Sequence, residues 1–359
     1  MINIQQNIPL ASLTTFGIGG DAKFFVEVRS VDELAEAVKF AKDNGLPVFV
    51  LGGGSNILIS DNGFNGLIIK MNIRGLWIID FASRLSTGVV LTVGAGPAPE
   101  KAESSGSSKL LLRCGAGEMW DDVVAKAVEL GVGGIENLSL IPGTVGGAVY
   151  QNIGAYGAEL KDVLVSVKAY DAKTDNVVEL SNKECGFEYR SSVFKKNKNL
   201  IVLEADLLLS KNQKLNLLYP DLQKRFAGAS PTISEVRQAV IEIRRSKIPD
   251  PEKISNAGSF FKNPVVTTAN FQRLTTNCSD LKGRDLGGGS VKLSAAQLIE
   301  MAGFKGKKVG NVGVSEKHAL VLINYGNGTA KELTDLAGTV KEAVKAQFGV
   351  KLEPEVEQI

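Results

Sequence analysis

The stretch Ile141-Pro142-Gly143-Thr144-Val145-Gly146-Gly147-Ala148, followed by Asn152-Ile153-Gly154-Ala155-Tyr156-Gly157, decides how this chain is read. Five glycines fall within residues 143–157, and no charged side chain intervenes before Glu159. A surface linker would carry Ser, Lys or Glu there. A packed helix would lose about 1 kcal/mol at each glycine relative to alanine. Close approach remains, because backbone N–H groups without a Cβ beside them can reach a flat or anionic ligand. Gly52-Gly53-Gly54-Ser55-Asn56 carries the same signal. Two such loops point to one large ligand with a ring system and a pyrophosphate. The competing reading is two unrelated structural turns.

Working outward, Pro47–Leu51 reads as a strand entering the first loop, and Asn56–Ser60 and Gly66–Lys70 read as strands leaving it. A doubly wound dinucleotide fold needs its glycines to open a helix, so strand–loop–strand speaks against one. Upstream, Ala22–Val28 is a strand. Ser30 is placed to cap a helix with Glu33 in a capping box, Leu34, Ala37, Val38 and Ala41 form its apolar face, and Gly45 ends it. Residues 120–130 predict an amphipathic helix that buries Val123, Val124, Ala127 and Val128. Residues 164–170, 177–180 and 200–209 read as sheet strands. Ser83–Gly88 reads as a polar turn and Gly96–Ser108 is low in complexity, so residues 83–108 are expected to form a flexible insertion between strands. Beyond Lys211, helices are expected over 234–243, 294–302 and 330–348, the last ending at Gly349, with a strand over 319–323 and an extended tail after it. The expected division is residues 1–212 (subdomains about 1–72 and 73–212), 213–349, and a tail over 350–359.

Composition narrows the class. Hydrophobic residues are 44% and charged residues 22%, as in ordinary globular proteins, and the length suits two or three domains. Glycine is the departure, 39 of 359 residues. A net charge of +2 gives no broad basic field, so nucleic acid is not expected as a partner. No basic-then-apolar leader and no run of eighteen apolar residues is present, so neither secretion nor membrane insertion is expected. Cys114, Cys185 and Cys278 are unpatterned and read as a reduced cytosolic set. With one histidine, His318, no metal centre is expected.

Three further stretches could carry chemistry. Phe187-Glu188-Tyr189-Arg190-Ser191-Ser192 is either a solvated strand edge or a guanidinium held for a carboxylate or developing enolate. Arg244-Arg245-Ser246-Lys247, before Pro249 and Pro251, answers a helix dipole or clamps a phosphate. Asn256-Ala257-Gly258-Ser259-Phe260-Phe261-Lys262-Asn263-Pro264 offers a hydroxyl without the surroundings of a hydrolase nucleophile, so a structural serine stays open.

Taken in order, these motifs together with Thr15-Phe16-Gly17-Ile18-Gly19-Gly20 and Leu352-Glu353-Pro354-Glu355-Val356 closely resemble the UDP-N-acetylenolpyruvoylglucosamine reductases, in their tyrosine-loop subtype, over nearly the whole chain. The resemblance implies an α+β fold, with an FAD-binding domain of the vanillyl-alcohol-oxidase type and a smaller α+β substrate domain. It implies NADPH as co-substrate, a UDP-sugar as substrate, a cytoplasmic monomer, and a role in peptidoglycan precursor synthesis. FAD is expected to be non-covalent, since His318 lies far in sequence from the glycine loops. By resemblance, FAD contacts fall on Gly52, Gly53, Gly54, Ser55, Asn56, Pro142, Gly143, Thr144, Gly146, Gly147, Asn152, Gly154, Ala155, Tyr156 and Arg244. Substrate contacts fall on Tyr189, Tyr219, Lys247, Asn263 and His318.

The implied reaction sends hydride through flavin N5 to C3 of an enolpyruvyl ether and a proton to C2. The resemblance makes Arg190 and Glu355 the groups that stabilise the enolate, and Ser259 the proton donor. A carboxyl beside an anion must be protonated, so Glu355 is expected to have a raised pKa. Lys262 and Lys247 are near enough in sequence to support Ser259. Glu357 stands where the family usually has Arg, and the 83–108 segment lies outside the common pattern. The alternatives are another FAD oxidoreductase of this fold acting on an alcohol or sugar, and a non-catalytic nucleotide-binding module.

Overall fold

A computed structural model describes residues 2–79, 90–93 (backbone only) and 108–359. The chain forms two compact units. The first comprises Met1–Gln6, Phe24–Gly53 and Asn65–Arg244; the second comprises Asn7–Lys23, Gly54–Phe64 and Arg245–Ile359.

The first unit is built on a six-stranded antiparallel sheet. Its spatial order is Asn176–Ser181, Leu164–Asp171, Leu200–Ser210, Lys109–Gly115, Leu76–Ile79 and Val90–Val93. In Leu200–Ser210 the alternate residues Ile201, Leu203, Ala205, Leu207 and Leu209 enter the core. Each leucine or isoleucine among them contributes about 1.5–3 kcal/mol by leaving water. The intervening Asp206 takes a bidentate bond from Arg113, at 2.7 and 2.9 Å, on the opposite face. Helix Trp120–Glu129 covers the core side with Trp120, Val123, Val124 and Ala127, while Val128 stays half-buried. The Trp120 indole N–H donates to Leu138 O at 2.9 Å. The strand Val90–Val93 falls inside the segment expected to be a flexible insertion; the rest of 83–107 lies outside the described residues.

Helix Val31–Asp43 starts and stops where the sequence says, with one correction. The Ser30 hydroxyl accepts the Glu33 N–H at 3.2 Å. The Glu33 carboxylate, however, takes the N–H of Arg29 at 2.6 Å, so the reciprocal half of the box sits one residue early. Gly45, at φ +61°, closes the far end through Leu46 N–H to Ala41 O and Gly45 N–H to Lys42 O. Strand Val48–Leu51 then pairs in parallel with Phe64–Met71 and delivers the chain to Gly52.

In the second unit a sheet ordered Ser255–Ser259, Val321–Asn324, Val312–Val314, Lys308–Val309 packs under helix Ala330–Phe348. Thr329 and Glu332 form a full capping box at that helix, and Gly349 at φ +68° ends it. Phe16, Ile18 and Leu58 join this core, far in sequence from the rest of it. The tail strand Glu357–Gln358 pairs in parallel with Ile57–Leu58. No helix among the described residues is long and apolar enough to cross a membrane.

The compact units differ from the division expected at residue 212. Residues through Arg244 pack with the first unit, because Val236, Ala239 and Val240 of helix Ile233–Lys247 bury against Tyr156 and Leu222. Arg237 of the same helix grips Asp121 with two bonds, at 2.7 and 2.9 Å. Burial pushes the Asp121 carboxyl up, but Arg237 and the Leu140 N–H outweigh it and hold the carboxyl below its usual range. Asp121→Asn should therefore cost about 1.5–3 kcal/mol in urea unfolding near pH 7. A depressed folded pKa gives stability that is complete above the ordinary carboxylate range and is lost as pH falls through the folded value. The two proteins should converge in acid. A gap that persists there would assign the loss to something other than the ion pair.

Candidate functional site

The two glycine loops meet in the first unit, and the meeting explains half of the glycines. A Cβ on Gly53 would stand 2.6 Å from the Gly143 Cα, and one on Gly52 2.7 Å from the Thr144 hydroxyl. Gly143 itself is at φ +108°. Gly146 abuts Ala116, 3.1 Å from its Cβ. These glycines permit close packing of the two loops, a role besides the ligand approach that the sequence suggests. Gly147 is different: its nearest neighbour is the Thr144 hydroxyl at 3.8 Å, so its face is open. Lys70 donates to the Gly52 carbonyl, and burial lowers its pKa.

Helix Val145–Tyr150 starts at this contact. Two of its first N–H groups are already donated inward, Val145 to Glu118 O and Gly146 to Ala116 O, each at 2.9 Å. Thr144 occupies the N-cap position but makes no capping bond, and its buried hydroxyl has no hydrogen-bond partner among the described residues. Pro142, just before, is exposed.

The second stretch, Asn152–Gly157, is a strained turn held by side chains. Asn152 at φ 46° and Tyr156 at φ 49° are both left-handed. The buried Asn152 carboxamide donates to Glu159 Oε2 and Glu188 O and accepts from Lys161 N–H, so it holds the turn itself. Gly154 and Ala155 pair with Glu159 and Ala158 in a two-residue ladder. Tyr189 and Arg190 form the tip of a tight turn closed by Glu188 and Ser191. Arg190, at φ 56°, reaches back to Gly154 O at 2.8 Å, and its guanidinium lies 5.4 Å from the Tyr189 ring.

Arg244 completes this group. Burial lowers its pKa, while the Tyr156 hydroxyl, which bonds to it, and Asp121 work the other way. Burial also pushes the Tyr156 phenol up to about 12. The Arg244 Nε is buried without a partner among the described residues. Arg190 adds a second positive charge felt at Arg244, and Asp121 is already committed to Arg237. An orphaned hydroxyl at Thr144, an open face at Gly147 and two guanidiniums near Tyr156 fit an anionic ligand with a flat body.

The second unit holds the remaining predicted residues except Tyr219. Gly54 is wedged against Leu13, whose carbonyl oxygen would lie 1.9 Å from a Cβ, and Gly54 O accepts the Thr15 N–H at 3.0 Å. Ser55 is half-buried beside it. Asn56 donates to Glu355 O at 3.2 Å, and its carbonyl accepts the Glu357 N–H at 3.1 Å. Buried Asn256 ties the next turn, donating to Pro249 O and Ile254 O and accepting from Gly258 N–H. A bulge between Asn256 and Ser259 then re-aims the end of that strand.

The tail comes alongside at this point. Glu355 N–H donates to Phe260 O at 2.8 Å and Lys262 N–H to Glu353 O at 2.9 Å. Glu355, 8% exposed, is thereby held across from the residue that follows Ser259. Lys262 Nζ sits 3.6 Å from Glu353. Asn263 Oδ1 accepts the Ala295 N–H at 2.9 Å. His318 Nδ1 accepts the Leu320 N–H at 3.3 Å, and burial lowers the imidazole pKa, with Lys247 and Lys305 adding to the effect. Tyr219 lies in the first unit, its ring 4.9 Å from that of Tyr156. Sequence reasoning missed Asp121, Arg237, Lys70 and Asn137. Among the described residues no group of three or more His, Cys, Asp or Glu could hold a metal ion.

Known proteins match both parts. Residues 22–181 match the family model of an FAD binding domain, and residues 250–359 that of the C-terminal domain of UDP-N-acetylenolpyruvoylglucosamine reductase. The UDP-N-acetylenolpyruvoylglucosamine reductase of Ralstonia nicotianae is 39% identical over 360 residues, 99% of each chain. That of Flavobacterium johnsoniae is 38% identical over 364 residues, covering both chains completely. The crystal structure of the Thermus caldophilus UDP-N-acetylenolpyruvylglucosamine reductase superposes with a TM-score of 0.64 over 100% of this chain and 98% of that one. At 24% identity it supports the α+β fold.

The two kinds of glycine should respond oppositely. Gly53→Ala forces the loops apart and should lower the thermal stability of flavin-free protein by about 1–3 kcal/mol. Gly147→Ala meets open space inside a helix, so it should hold or gain up to about 1 kcal/mol in that form while weakening FAD retention. Equal FAD affinity for Gly147→Ala and the parent would remove Gly147 from the cradle. A separate check uses the single histidine. Its proton NMR titration midpoint should lie below 6.5 and move up, though not fully back, in Lys247→Met. A midpoint at or above 6.5 would contradict the packing around His318.

Proposed function

The chain belongs to the UDP-N-acetylenolpyruvoylglucosamine reductases, and from that premise we propose which of its residues carry the reaction. The protein is an FAD-containing oxidoreductase of peptidoglycan precursor synthesis, with NADPH as co-substrate and a UDP-sugar as substrate. FAD, when bound, relays hydride from NADPH to C3 of the enolpyruvyl group.

What the chain must supply is control of charge and of one proton. Hydride addition at C3 places negative charge on C2 and the adjoining carboxylate. Arg190, fixed through its bond to Gly154 O, is assigned to that charge as a preorganised donor. Glu355 is assigned to the same developing charge as a carboxylic acid, donating a hydrogen bond. The Ser259 hydroxyl delivers the proton to C2. An alcohol can do so because the enolate is strongly basic, and Lys262 or Lys247 can share the load.

The observation that supports this reading is the main-chain bond from Glu355 N–H to Phe260 O, which ties the backbone of Glu355 to the residue that follows Ser259. For FAD, we assign Gly52–Asn56, Pro142–Thr144, Gly146, Gly147, Asn152, Gly154–Tyr156 and Arg244, supported by the orphaned Thr144 hydroxyl and Arg244 Nε. Non-covalent attachment is proposed because the single histidine, His318, lies far in sequence from the glycine loops. Tyr189, Tyr219, Lys247, Asn263 and His318 are assigned to the nucleotide sugar. We assign the protein to the cytoplasm as a monomer, in keeping with its free cysteines.

Anaerobic stopped flow near 450 nm tests the assignment. Ser259→Ala should leave reduction by NADPH nearly intact and slow reoxidation by UDP-N-acetylglucosamine enolpyruvate by about 10²–10⁴-fold. Equal damage to both half-reactions would remove Ser259 from the proton step.

A further inference from the structure

Residues 138–145, which deliver Pro142, Gly143 and Thr144, are laid along residues 118–121 at the start of helix Trp120–Glu129. Trp120 N–H donates to Gly143 O at 3.0 Å, and Val145 N–H to Glu118 O at 2.9 Å. Met119 and Thr144 form an antiparallel bridge between these two bonds. The Trp120 indole holds Leu138 O at 2.9 Å. In each of these ties the acceptor is a main-chain carbonyl. A further tie is of another kind: the Asp121 carboxylate, through Oδ1, accepts the Leu140 N–H at 2.5 Å.

Leu140 is where this backbone is strained. Its φ is 57°, in the left-handed region that is disfavoured for leucine. Ser139 before it is extended, at φ −62° and ψ 147°. Pro142 biases Ile141 away from the helical region, because the proline ring would clash with it there. The left-handed step at Leu140 therefore turns the chain from the short helix Glu136–Leu138 into the loop over 142–144. Such a step persists where the surroundings over-determine it. Asp121 is the side chain that grips it, and Arg237 holds Asp121 in turn from Nη1 and Nη2, at 2.7 and 2.9 Å. An ionised acceptor makes a stronger bond than a carbonyl would. The Asp121 side chain is 29% exposed, so water competes for it only in part.

We infer that Asp121 is a positioning residue for the flavin: its bond to the Leu140 N–H holds the left-handed step that sets residues 142–144 in place for FAD. The inference rests on the assignment of Pro142, Gly143 and Thr144 to FAD. One carboxylate thus has two separable duties. Its ion pair with Arg237 serves stability, whereas its bond to Leu140 serves the shape of the cradle. A preorganised cradle spares the entropy of fixing a loop on binding, so loss of that bond appears in flavin retention. An amide at 121 lacks the charge that Arg237 needs but keeps an oxygen for the Leu140 N–H. A glycine at 140 adopts a left-handed φ without any grip.

The test follows flavin release from diluted holoenzyme by fluorescence, and hydrogen exchange of a peptide spanning 136–146 with FAD in excess. Asp121→Ala should speed both about tenfold, the loss expected for one hydrogen bond to a charged acceptor. Asp121→Asn should stay within about threefold of the parent in both, although it forfeits the ion pair. In a Leu140→Gly background, adding Asp121→Ala should change release by less than about twofold, since residue 140 then needs no grip. Leu140→Val keeps the Asp121–Arg237 pair but puts a β-branched side chain at a left-handed position. It should release flavin about fivefold faster than the parent, and it serves if Asp121→Ala does not fold. Release from Asp121→Asn as fast as from Asp121→Ala overturns the inference and leaves Asp121 as half of a stabilising ion pair. So does an undiminished effect of Asp121→Ala when residue 140 is glycine, or unchanged exchange over 136–146. Quickened exchange with unchanged release is a different failure: the grip on Leu140 stands, and the assignment of residues 142–144 to FAD falls.

Discussion

Everything in the first unit is arranged around a contact that admits no side chain, the back-to-back approach of Gly53 and Gly143. The end of strand Val48–Leu51 and the start of helix Val145–Tyr150 converge there, and they could not do so with a Cβ on Gly53. Because the loops are locked together, Thr144 is carried to a place where its hydroxyl has no partner among the described residues, and Gly147 is left facing open space. The turn that follows is then fixed by Asn152 and Asn137, and the guanidinium of Arg190 is drawn over it. Rigidity at one backbone contact is thus converted into a fixed array of donors, the condition electrostatic stabilisation requires.

The second unit reaches the same end by other means. Glu355 is held by main-chain hydrogen bonds of a tail that runs antiparallel to residues 260–262 and then parallel to 57–58. Glu357 contributes its backbone to this pairing, its N–H donating to Asn56 O.

Much of this was written locally in the chain. The helix over 31–43, its Ser30 cap and Gly45 stop, and the Thr329-to-Gly349 helix follow from spacing and end signals that act over a few residues. The glycine loops stood out, but the reason for Gly52, Gly53 and Gly146 is a neighbour about ninety or thirty positions away, which no local pattern encodes. The same holds for Asp121 with Arg237: each looks like an ordinary charge on a helix until the fold brings them together. Asn137 sits in Glu-Asn-Leu-Ser with no periodicity to mark it, and its two bonds go to the distant carbonyls of Tyr156 and Asn216. Compact units were harder still, since the sequence was cut by order along the chain and the cores are not.

That last point bears on how the protein comes into being. The second unit draws on three separated stretches, and Phe16 packs edge-on to Phe260 while Asn324 binds the Phe16 carbonyl. During synthesis the early stretches are exposed long before their partners exist, so their apolar residues must wait, unpaired and open to misassociation. Closing such a core is slow for its size because distant contacts must form before they reward the chain. A single proteolytic cut cannot separate the units, as the backbone passes from one to the other repeatedly. The protein is built to be made whole and kept whole, and neither unit can be shed as an independent module.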